Sequence, residues 1–299
     1  MTSRAALGSD AINTKGRFKS HQWLLLRRCS QVSILALFLL GPLLNIWIVK
    51  GTLASSLTLE TLPLTDPYLL LQIVLTGHMP ETTALIGAAI VLVFYLLVGG
   101  RVYCSWVCPT NLITDAAAYV QRKLDIKPRM RFPRNSRYWI LALTLLLALT
   151  SGTLMWELVN PVSLVFRGLV FGLGMGWAVI VAIFLFDLFM SHRAWCGRLC
   201  PMGAFYSLIG DISLIRVNAN KREQCNDCMD CFDVCPEPQV ISPALKGAEK
   251  QLGPVIKNGA CSNCGRCIDI CAKDVFHFGL RFQRKSSSEL KNSQQETVL

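Results

Sequence analysis

Four stretches of the chain carry no charged residue over roughly 20 positions, and polar segments separate them. These stretches cover residues 29–49, 82–100, 138–156 and 168–186. A helix of about 20 residues is long enough to cross the hydrocarbon layer of a bilayer. Aromatic residues such as Trp47, Tyr138 and Trp156 lie near the ends of the stretches, as in the interfacial belts of membrane proteins. The pattern predicts an α-helical membrane protein with four transmembrane helices.

Basic residues alternate between the polar segments. From the N-terminus onward, the five segments hold six, one, eight, one and fourteen Lys and Arg residues. Segments rich in Lys and Arg stay on the cytoplasmic side, so both termini are predicted to be cytoplasmic. The net charge of +11 is then a signal of topology, and no nucleic-acid partner is expected. Charged residues make up only 16% of the chain, against about 25% in soluble domains, which agrees with a membrane protein.

Eight of the thirteen cysteines form two runs of the type C-x₂-C-x₂-C-x₃-C near the C-terminus. In bacterial two-cluster ferredoxins, the fourth cysteine of such a run ligates the other cluster. The runs therefore predict a small α+β ferredoxin-like domain with two [4Fe–4S] clusters. The expected ligands are Cys225, Cys228, Cys231 and Cys271 for one cluster, and Cys235, Cys261, Cys264 and Cys267 for the other. A zinc site is the alternative, but zinc favours separated C-x₂-C pairs.

A second cysteine pattern, C-x₃-C-P, occurs at the cytoplasmic ends of the second and fourth apolar stretches. It contains Cys104 with Cys108 and Cys196 with Cys200. Residues i and i+4 share one face of a helix, so each pair presents two sulfurs together. The duplication predicts a pseudo-repeat in which the two pairs face each other. Three interpretations are open: an additional redox or metal site, two dithiols that switch or assist assembly, and small buried side chains that only pack.

These features divide the chain into five parts. Residues 1–28 form a basic cytoplasmic arm, and residues 29–190 form the membrane domain. Residues 191–220 hold the second C-x₃-C-P motif and an amphipathic connector. Residues 221–280 form the ferredoxin-type domain, and residues 281–299 are a polar tail that we expect to be disordered.

With the motifs placed, the chain resembles the NapH/MauN family of ferredoxin-type membrane proteins, which is related to the NosR and FixG/CcoG groups. The resemblance covers essentially the whole length. It rests on the stretches SHQWLLLRRCSQ, LPLTDPYLLLQ, YCSWVCPTNLITD, LTSGTLMWELVNPVSL, WCGRLCPMGAFY and CMDCFDVCPEP. The flavin-binding domain of NosR and the additional C-terminal domain of FixG-type proteins are not expected here, because only 28 residues follow Cys271.

The resemblance implies the membrane component of a quinol dehydrogenase in the bacterial inner membrane. Such a subunit would take electrons from the quinone pool and pass them, through a NapG-type periplasmic iron–sulfur protein, to periplasmic nitrate reductase. The alternative is a membrane docking or assembly factor without quinol chemistry of its own. The clusters are predicted on the side opposite the reductase. Either the C-x₃-C-P region relays electrons across the membrane, or the clusters balance or report redox state.

A few ionisable residues outside the cysteine motifs are candidates for proton transfer. Asp66, His78 and Glu157 lie in segments predicted to be outside, where a quinol that loses protons needs acceptors. Asp187 lies at the inner end of the fourth apolar stretch, and an intramembrane carboxylate is a functional candidate by default. For the three outside residues, the expected interpretation is an ordinary solvated loop side chain.

Overall fold

The computed structural model describes residues 7–126, 133–172, 176–190 and 193–282. The described chain is mainly helical. Its α-helices are α1 (Ser9–Lys19), α2 (Gln22–Leu44), α3 (Pro67–Leu75), α4 (Thr82–Val98), α5 (Thr110–Lys123), α6 (Ser136–Ser151), α7 (Met155–Val159), α8 (Pro161–Phe171), α9 (Gly176–Phe189), α10 (Pro201–Ile212), α11 (Asp230–Val234), α12 (Ile241–Lys246) and α13 (Arg266–Ile270). The strands are β1 (Val49–Gly51), β2 (Ser55–Thr58), β3 (Leu62–Thr65), β4 (Ile215–Asn218) and β5 (His277–Leu280). Two π-helical turns are π1 (Tyr103–Val107) and π2 (Trp195–Leu199). The predicted tail from residue 283 and residues 191–192 of the predicted connector lie outside the described residues.

Helix α2 is the one described helix that is both long and apolar enough to cross a membrane. It begins at Gln22 and ends at Leu44, whereas the sequence predicts a span over residues 29–49. The difference arises because Arg27 and Arg28 are part of the helix, although the charge-free window excludes them. At the other end, Asn45 adopts a left-handed conformation with φ of 59°, and this ends the helix.

The other apolar helices are shorter than 18 residues. Helix α4 lies within the predicted second span. Helix α6 begins two residues before the predicted third span and ends five residues before the end of that span. The predicted fourth span, residues 168–186, is not one helix. Helix α8 ends at Phe171, Gly172 has φ of 94°, and α9 begins at Gly176. Glycine weakens helices and admits positive φ, so Gly172 accounts for the end of α8.

The connection between α2 and α4 is predicted as an outside loop, but it is mostly regular structure. Strands β1, β2 and β3 form an antiparallel sheet in that order. Pro63 lies in the edge strand β3, where its missing N–H group is tolerated. Strand β3 packs closely on α4 at Gly87, where an added Cβ would lie 3.1 Å from the Pro63 carbonyl oxygen. Asp66 then begins α3.

The helices pack around a buried group of aromatic side chains. Tyr68 of α3, Tyr95 of α4, Tyr103 of π1 and Tyr206 of α10 all belong to one hydrophobic cluster. The backbone after α4 approaches α10 closely, because a Cβ on Gly100 would lie 2.0 Å from the Tyr206 carbonyl oxygen. Glycine is therefore required there. This packing brings the chain around both C-x₃-C-P motifs into the same core.

The C-terminal unit is a small α+β structure with its own hydrophobic core. Strand β4 pairs antiparallel with β5, although β4 precedes the predicted start of this unit at residue 221. The start of the chain also packs here. Lys15 of α1 donates to the Ile268 carbonyl at 3.1 Å, and the backbone N–H groups of Trp23 and Leu24 donate to the carboxylate of Asp269. Because a carboxylate stabilises a helix N-terminus, Asp269 caps α2 from a distance in sequence.

Candidate iron–sulfur sites

Two cavities in the C-terminal unit are each lined by four cysteines. We call the cavity whose lining loop contacts the helical bundle proximal, and the other cavity distal. The empty space between their walls, including the part that is open to solvent, is about 370 Å³ in the distal cavity and about 360 Å³ in the proximal one. The distal cavity is lined by Cys225, Cys228, Cys231 and Cys271, and the proximal cavity by Cys235, Cys261, Cys264 and Cys267. Each cavity therefore groups three cysteines of one run with the last cysteine of the other.

Both cysteine runs reach this arrangement through the same backbone conformation. Asp227 and Asn263, two residues after the first cysteine of each run, have positive φ, as do Met229 and Gly265 two residues later. These left-handed residues curl each run into a loop before α11 or α13 begins. Gly265 is required for packing as well, since a Cβ there would lie 2.5 Å from the Trp23 ring. The short helix then carries the fourth cysteine away from its own loop.

The distal cavity is close to solvent. Cys228 is exposed, and the acidic side chains of Asp227 and Asp230 lie beside its loop. The pKa of Cys231 is raised to about 12, first by desolvation and then by the neighbouring thiols of Cys228 and Cys271. Thiol ligands must lose their protons to bind a metal, so this cavity needs a bound cationic metal centre to hold thiolates.

The proximal cavity is buried and surrounded by arginines. Arg27 is fully buried and interacts electrostatically with Cys264. Arg216 faces Cys261 in the same way, and Arg193 faces Cys235. In the described chain, Nε and both terminal nitrogens of Arg27 have no hydrogen-bond partner, nor do Nε and one terminal nitrogen of Arg193 and of Arg216.

Buried guanidinium nitrogens without hydrogen-bond partners fit an anionic occupant of the proximal cavity. Arg27 and Arg193 share the carboxylate of Asp115 as an ion-pair partner, at 4.0 and 3.0 Å, and burying more positive than negative charge is costly. An iron–sulfur cluster with four thiolate ligands is an anion and would supply the missing charge. The residues present therefore fit a cluster. Across the described ranges, no three His, Cys, Asp or Glu side chains form a group that could hold a single metal ion.

One carboxylate joins several of these arginines to the bundle. Asp115 of α5 forms ion pairs with Arg193 at 3.0 Å and Arg266 at 2.6 Å, and a further pair with Arg28. The three arginines come from α2, from the segment before π2 and from α13. Because Asp115 is itself largely buried, these pairs fix the position of the proximal cavity against α2 and α5.

The two C-x₃-C-P motifs have the same local structure. Each follows a helix, forms a π-helical turn and continues after proline into another helix. The Cys108 N–H donates to the Tyr103 carbonyl and the Cys200 N–H to the Trp195 carbonyl, both at 3.0 Å. The sequence predicts an ordinary α-helix here, in which each N–H donates to the carbonyl four residues earlier. In the π-helical turns the donor and acceptor are five residues apart. π-Helical turns are rare in proteins, and many of those that occur lie at functional sites.

The four C-x₃-C-P cysteines share one buried environment. The pKa of Cys108 is raised to about 11 and that of Cys200 to about 12, first by burial and then by the Cys104 thiol. The pKa of Cys196 is well above its usual value, first through burial and then through Cys108 and Cys200. The motifs are therefore close enough for all four thiols to interact electrostatically.

Hydrogen bonds connect π1 directly to the cysteine loop of the proximal cavity. Ser105, between Cys104 and Cys108, donates to the Ser262 carbonyl at 2.8 Å. Trp106 donates from its ring nitrogen to the Asn263 carbonyl at 3.2 Å. Ser262 and Asn263 lie between Cys261 and Cys264, so residues inside one cysteine motif bind residues inside another.

Arg101 is a second bridge between the two regions. Its guanidinium donates to the Ala260 carbonyl at 2.8 Å and to the Cys196 carbonyl at 3.1 Å. It also pairs with Glu237 at 3.1 Å, as does Arg137 at the same distance. Desolvation opposes ionisation of Glu237, but Arg101, Gln239 and Arg137 outweigh it, so its pKa is lowered. The carboxylate therefore stays charged between its two arginines.

Sequence reasoning did not identify these bridging residues. Arg27 and Arg101 are counted among the topology charges of polar segments, yet they are 0% and 3% exposed. Their positions, within one turn of an apolar helix end, were the available signal. Of the predicted proton-transfer candidates, His78 is exposed, and Asp187 is buried and accepts from the Trp195 N–H at 2.9 Å. Asp66 is buried as well, contrary to the expectation of a solvated loop residue.

Comparisons with known proteins identify the family. A family model described as a 4Fe-4S binding domain matches twice, over residues 81–127 and 169–221. Each match contains one C-x₃-C-P pair and stops short of the C-terminal runs. No solved structure matches the chain.

Several curated relatives match nearly the full length. The methylamine utilization ferredoxin-type protein MauN of Methylorubrum extorquens is 49% identical over 93% of this chain and 96% of its own. The ferredoxin-type protein NapH of Escherichia coli K12 is 45% identical over 94% of this chain and 97% of its own. MauN of Paracoccus denitrificans is 50% identical over 90% and 94%. The chain therefore belongs to the NapH/MauN family of ferredoxin-type iron–sulfur electron-transfer proteins.

Proposed function

We propose that the protein is a membrane-bound electron-transfer subunit that holds two [4Fe–4S] clusters, one in each cavity. The observation that carries this proposal is the grouping of four cysteines around each cavity, with arginines around the proximal one whose guanidinium groups keep nitrogens without hydrogen-bond partners. The proposed ligands are the four cysteines that line each cavity. When bound, the clusters supply one-electron acceptors, and the protein fixes their positions, charge environment and exposure.

Four passages of the chain through the membrane belong to the same proposal. Besides α2, the helices α4, α6 and α9 expose large apolar side chains in rows, among them Phe94, Leu146 and Val181. Contiguous exposed apolar surface on several helices is typical of contact with lipid. The α8–α9 pair replaces the single fourth helix that the sequence predicts. The alternation of basic segments supports the proposal that the termini and both cavities lie on the cytoplasmic side of the bacterial inner membrane.

The C-x₃-C-P cysteines are proposed to form one additional iron–sulfur site. Three observations favour this over separate dithiols or simple packing. The four thiols lie in one buried environment, both motifs adopt the same π-helical turn, and the match to a 4Fe-4S binding domain covers each motif. The hydrogen bonds from Ser105 and Trp106 then connect this site to the proximal cavity.

We infer that the electrons come from membrane quinol and pass to a partner iron–sulfur protein. The NapG-type periplasmic protein and periplasmic nitrate reductase are the proposed route, because relatives named NapH match over nearly the whole chain. Relatives named for methylamine utilization are equally similar, which favours an electron-transfer step common to both groups. A docking or assembly factor is the alternative, and reduction of the bound clusters by quinol distinguishes the two.

The central experiment measures iron and acid-labile sulfide in the purified full-length protein and records EPR spectra during titration with a quinol. Two clusters give about eight iron atoms per chain, and an additional cluster gives about twelve. We expect signals that appear as quinol is added. Full iron content with no reduction by quinol would support the docking role, and iron far below eight atoms would refute the cluster assignment.

Single and double cysteine variants test the additional site. If Cys104, Cys108, Cys196 and Cys200 act as one unit, each single Ala variant loses the same signal. The double variant Cys104→Ala/Cys196→Ala should then be no worse than either single variant, because residues that act together are not additive. The eight C-terminal cysteines stay intact in all of these proteins and serve as the internal control. Independent, additive losses would favour two dithiols instead.

A further inference from the structure

Asp66 is a buried carboxylate with an incomplete set of partners. One of its oxygens, Oδ1, accepts from the Tyr68 N–H at 3.0 Å and from the Tyr206 hydroxyl at 2.9 Å. The other oxygen, Oδ2, is buried and has no hydrogen-bond partner among the residues that the structure describes. The residue is only 7% exposed. An unsatisfied carboxylate oxygen in this position disfavours the charged form.

Helix capping alone does not require a carboxylate at this position. Asn160 caps α8 in the same way, accepting from the Val162 N–H at 3.1 Å, and a proline follows it just as Pro67 follows Asp66. Asparagine and aspartate cap helices about equally well. Unlike Asn160, Asp66 can take up a proton, and capping a helix does not require this ability.

The surroundings of Asp66 lead toward the C-x₃-C-P cysteines. The ring of Tyr206 stacks on Tyr103 at 5.2 Å and meets Tyr95 edge-on at 5.0 Å. Tyr103 directly precedes Cys104. Burial raises the pKa of the Cys104 thiol, Arg101 and Arg137 lower it, and the charge of Asp66 raises it. Asp66 thus lies at the edge of the buried thiol site, separated from it by tyrosines.

A second carboxylate lies on the other side of Asp66. Glu157 of α7 is close enough to Asp66 to interact with it electrostatically. It accepts from Asn160 at 3.1 Å and from the Ser163 hydroxyl, and it is only partly buried. Helix α7 belongs to the connection predicted to face outward. The two carboxylates therefore form a path from the thiol site toward the outer surface.

The surroundings of Asp66 bring its pKa close to neutral pH, which suits proton transfer. The pKa of Asp66 is raised to about 6: desolvation raises it most, the hydrogen bonds from Tyr68 and Tyr206 lower it, and the charge of Glu157 raises it. The remaining titratable groups around it are Tyr95, Tyr103 and Cys104. A group that titrates near neutral pH can both accept a proton and release it.

We propose that Asp66 accepts the protons released when a hydroquinone is oxidised beside the C-x₃-C-P cysteines, and that Glu157 passes them to the outer face. The inference rests on the proposed function. Oxidation of a hydroquinone to a quinone releases two electrons and two protons. The electrons leave to the iron–sulfur centres of the proposed function, and each proton binds the Asp66 carboxylate, moves to Glu157 and leaves to water. Tyr206 positions the carboxylate through its hydroxyl.

The test compares Asp66→Asn with the wild-type protein, both full-length and in lipid vesicles, using duroquinol as donor and ferricyanide as acceptor. Asparagine keeps the cap and the Tyr206 bond but cannot take up a proton. We expect an initial rate lower by about a hundredfold, the lower end of the contribution of a positioned base. Glu157→Gln should lower the rate less, and Tyr206→Phe should shift its pH profile. Glu81→Gln, which changes an exposed carboxylate in the same connection as Asp66, is the matched control and should have no effect.

A spectroscopic arm separates failure of this inference from failure of the proposed function. Infrared spectra of the protein alone, recorded between pH 5 and 8, should show a protonated carboxyl band near the Asp66 pKa that is missing in Asp66→Asn. If wild type does not oxidise duroquinol but shows this band, the quinol reaction is wrong while the proton site stands. If Asp66→Asn keeps the wild-type rate with full iron content, or the band is unchanged in that variant, the inference is overturned.

Discussion

The two cysteine cavities have the same backbone design and opposite surroundings. The distal cavity is close to solvent, has the exposed Cys228 in its wall and lies beside Asp227 and Asp230. The proximal cavity is buried, and Arg27, Arg193 and Arg216 surround it. Net charge, hydrogen bonds and exposure set the potential of an iron–sulfur cluster. Identical ligand sets should therefore give two different potentials, with the proximal cluster the easier one to reduce.

This difference also suggests separate roles. The proximal cavity is connected to the C-x₃-C-P region through Ser105, Trp106 and Arg101, so it is placed to exchange electrons inside the protein. The distal cavity has no such connection to π1 or π2 among the described residues, and its exposed wall suits exchange with another protein. The predictions below test how far the two cavities differ.

The largest expected effect is the loss of a whole cluster when the fourth cysteine of either run is removed. Cys235→Ala should abolish the proximal cluster, although Cys235 belongs to the first run, and Cys271→Ala should abolish the distal one. Each variant should lose about half of the ferredoxin-type iron, because an incomplete ligand shell does not hold a cluster. EPR spectra identify the cluster that is lost. If Cys235→Ala and Cys225→Ala removed the same signal, the crossed assignment would be wrong.

The next effect concerns stability toward chelators. With an oxidant and an iron chelator present, the distal cluster of the wild-type protein should disappear about tenfold faster. This corresponds to about 1.4 kcal/mol of additional opening free energy for the buried proximal loop. Ser105→Ala, which removes the bond to the Ser262 carbonyl, should narrow the difference. EPR amplitudes over time give both rates, and equal rates in the wild type would contradict the contrast in burial.

A smaller effect is expected from a single buried charge. Arg27→Met removes the guanidinium that faces Cys264 and should lower the proximal potential by roughly 60 mV, a tenfold change for one electron. The distal potential should stay constant. Arg27→Lys keeps the charge and is the matched control, and iron content reports whether each variant is intact. A shift of both potentials by the same amount would show that the arginine acts on the whole unit.

The smallest effect is expected at the surface of the distal side. Asp274 is exposed and pairs with Lys15, and Asp274→Asn should change thermal stability by less than about 1 kcal/mol, because an ion pair with an exposed partner contributes little. Neither potential should move. A loss of the distal signal on heating well before the proximal one, seen in this variant alone, would instead mean that α1 holds the distal cavity closed.

The sequence predicts the local features of this molecule well and the long-range ones poorly. Cysteine spacing is local, so the runs that line both cavities and the C-x₃-C-P pairs could be read directly. The apolar stretches predict helices, but not the break at Gly172 or the start of α2 at Gln22, because packing against the protein decides where charged residues enter a helix.

The residues that were missed depend on contacts between distant parts of the chain. Arg27 faces Cys264, which is more than 200 positions away, and Asp66 meets Tyr206 across 140 positions. Composition gives no sign of such contacts. A buried arginine therefore cannot be distinguished in the sequence from an exposed arginine that sets the membrane orientation. The sheet β1–β3 was missed for a related reason, since its three short strands have no repeated alternation of polar and apolar residues.

The bonds from Ser105 and Trp106 to the Cys261–Cys264 loop have a consequence for biogenesis. Once that loop is docked on the bundle, the proximal cavity is closed by parts of the chain that are synthesised and inserted first. A carrier that delivers iron–sulfur clusters would therefore have to load this cavity before docking, whereas the distal cavity could be filled, or repaired after damage, in the mature protein. We expect the proximal cavity, next to the membrane domain, to receive its cluster before the distal cavity does.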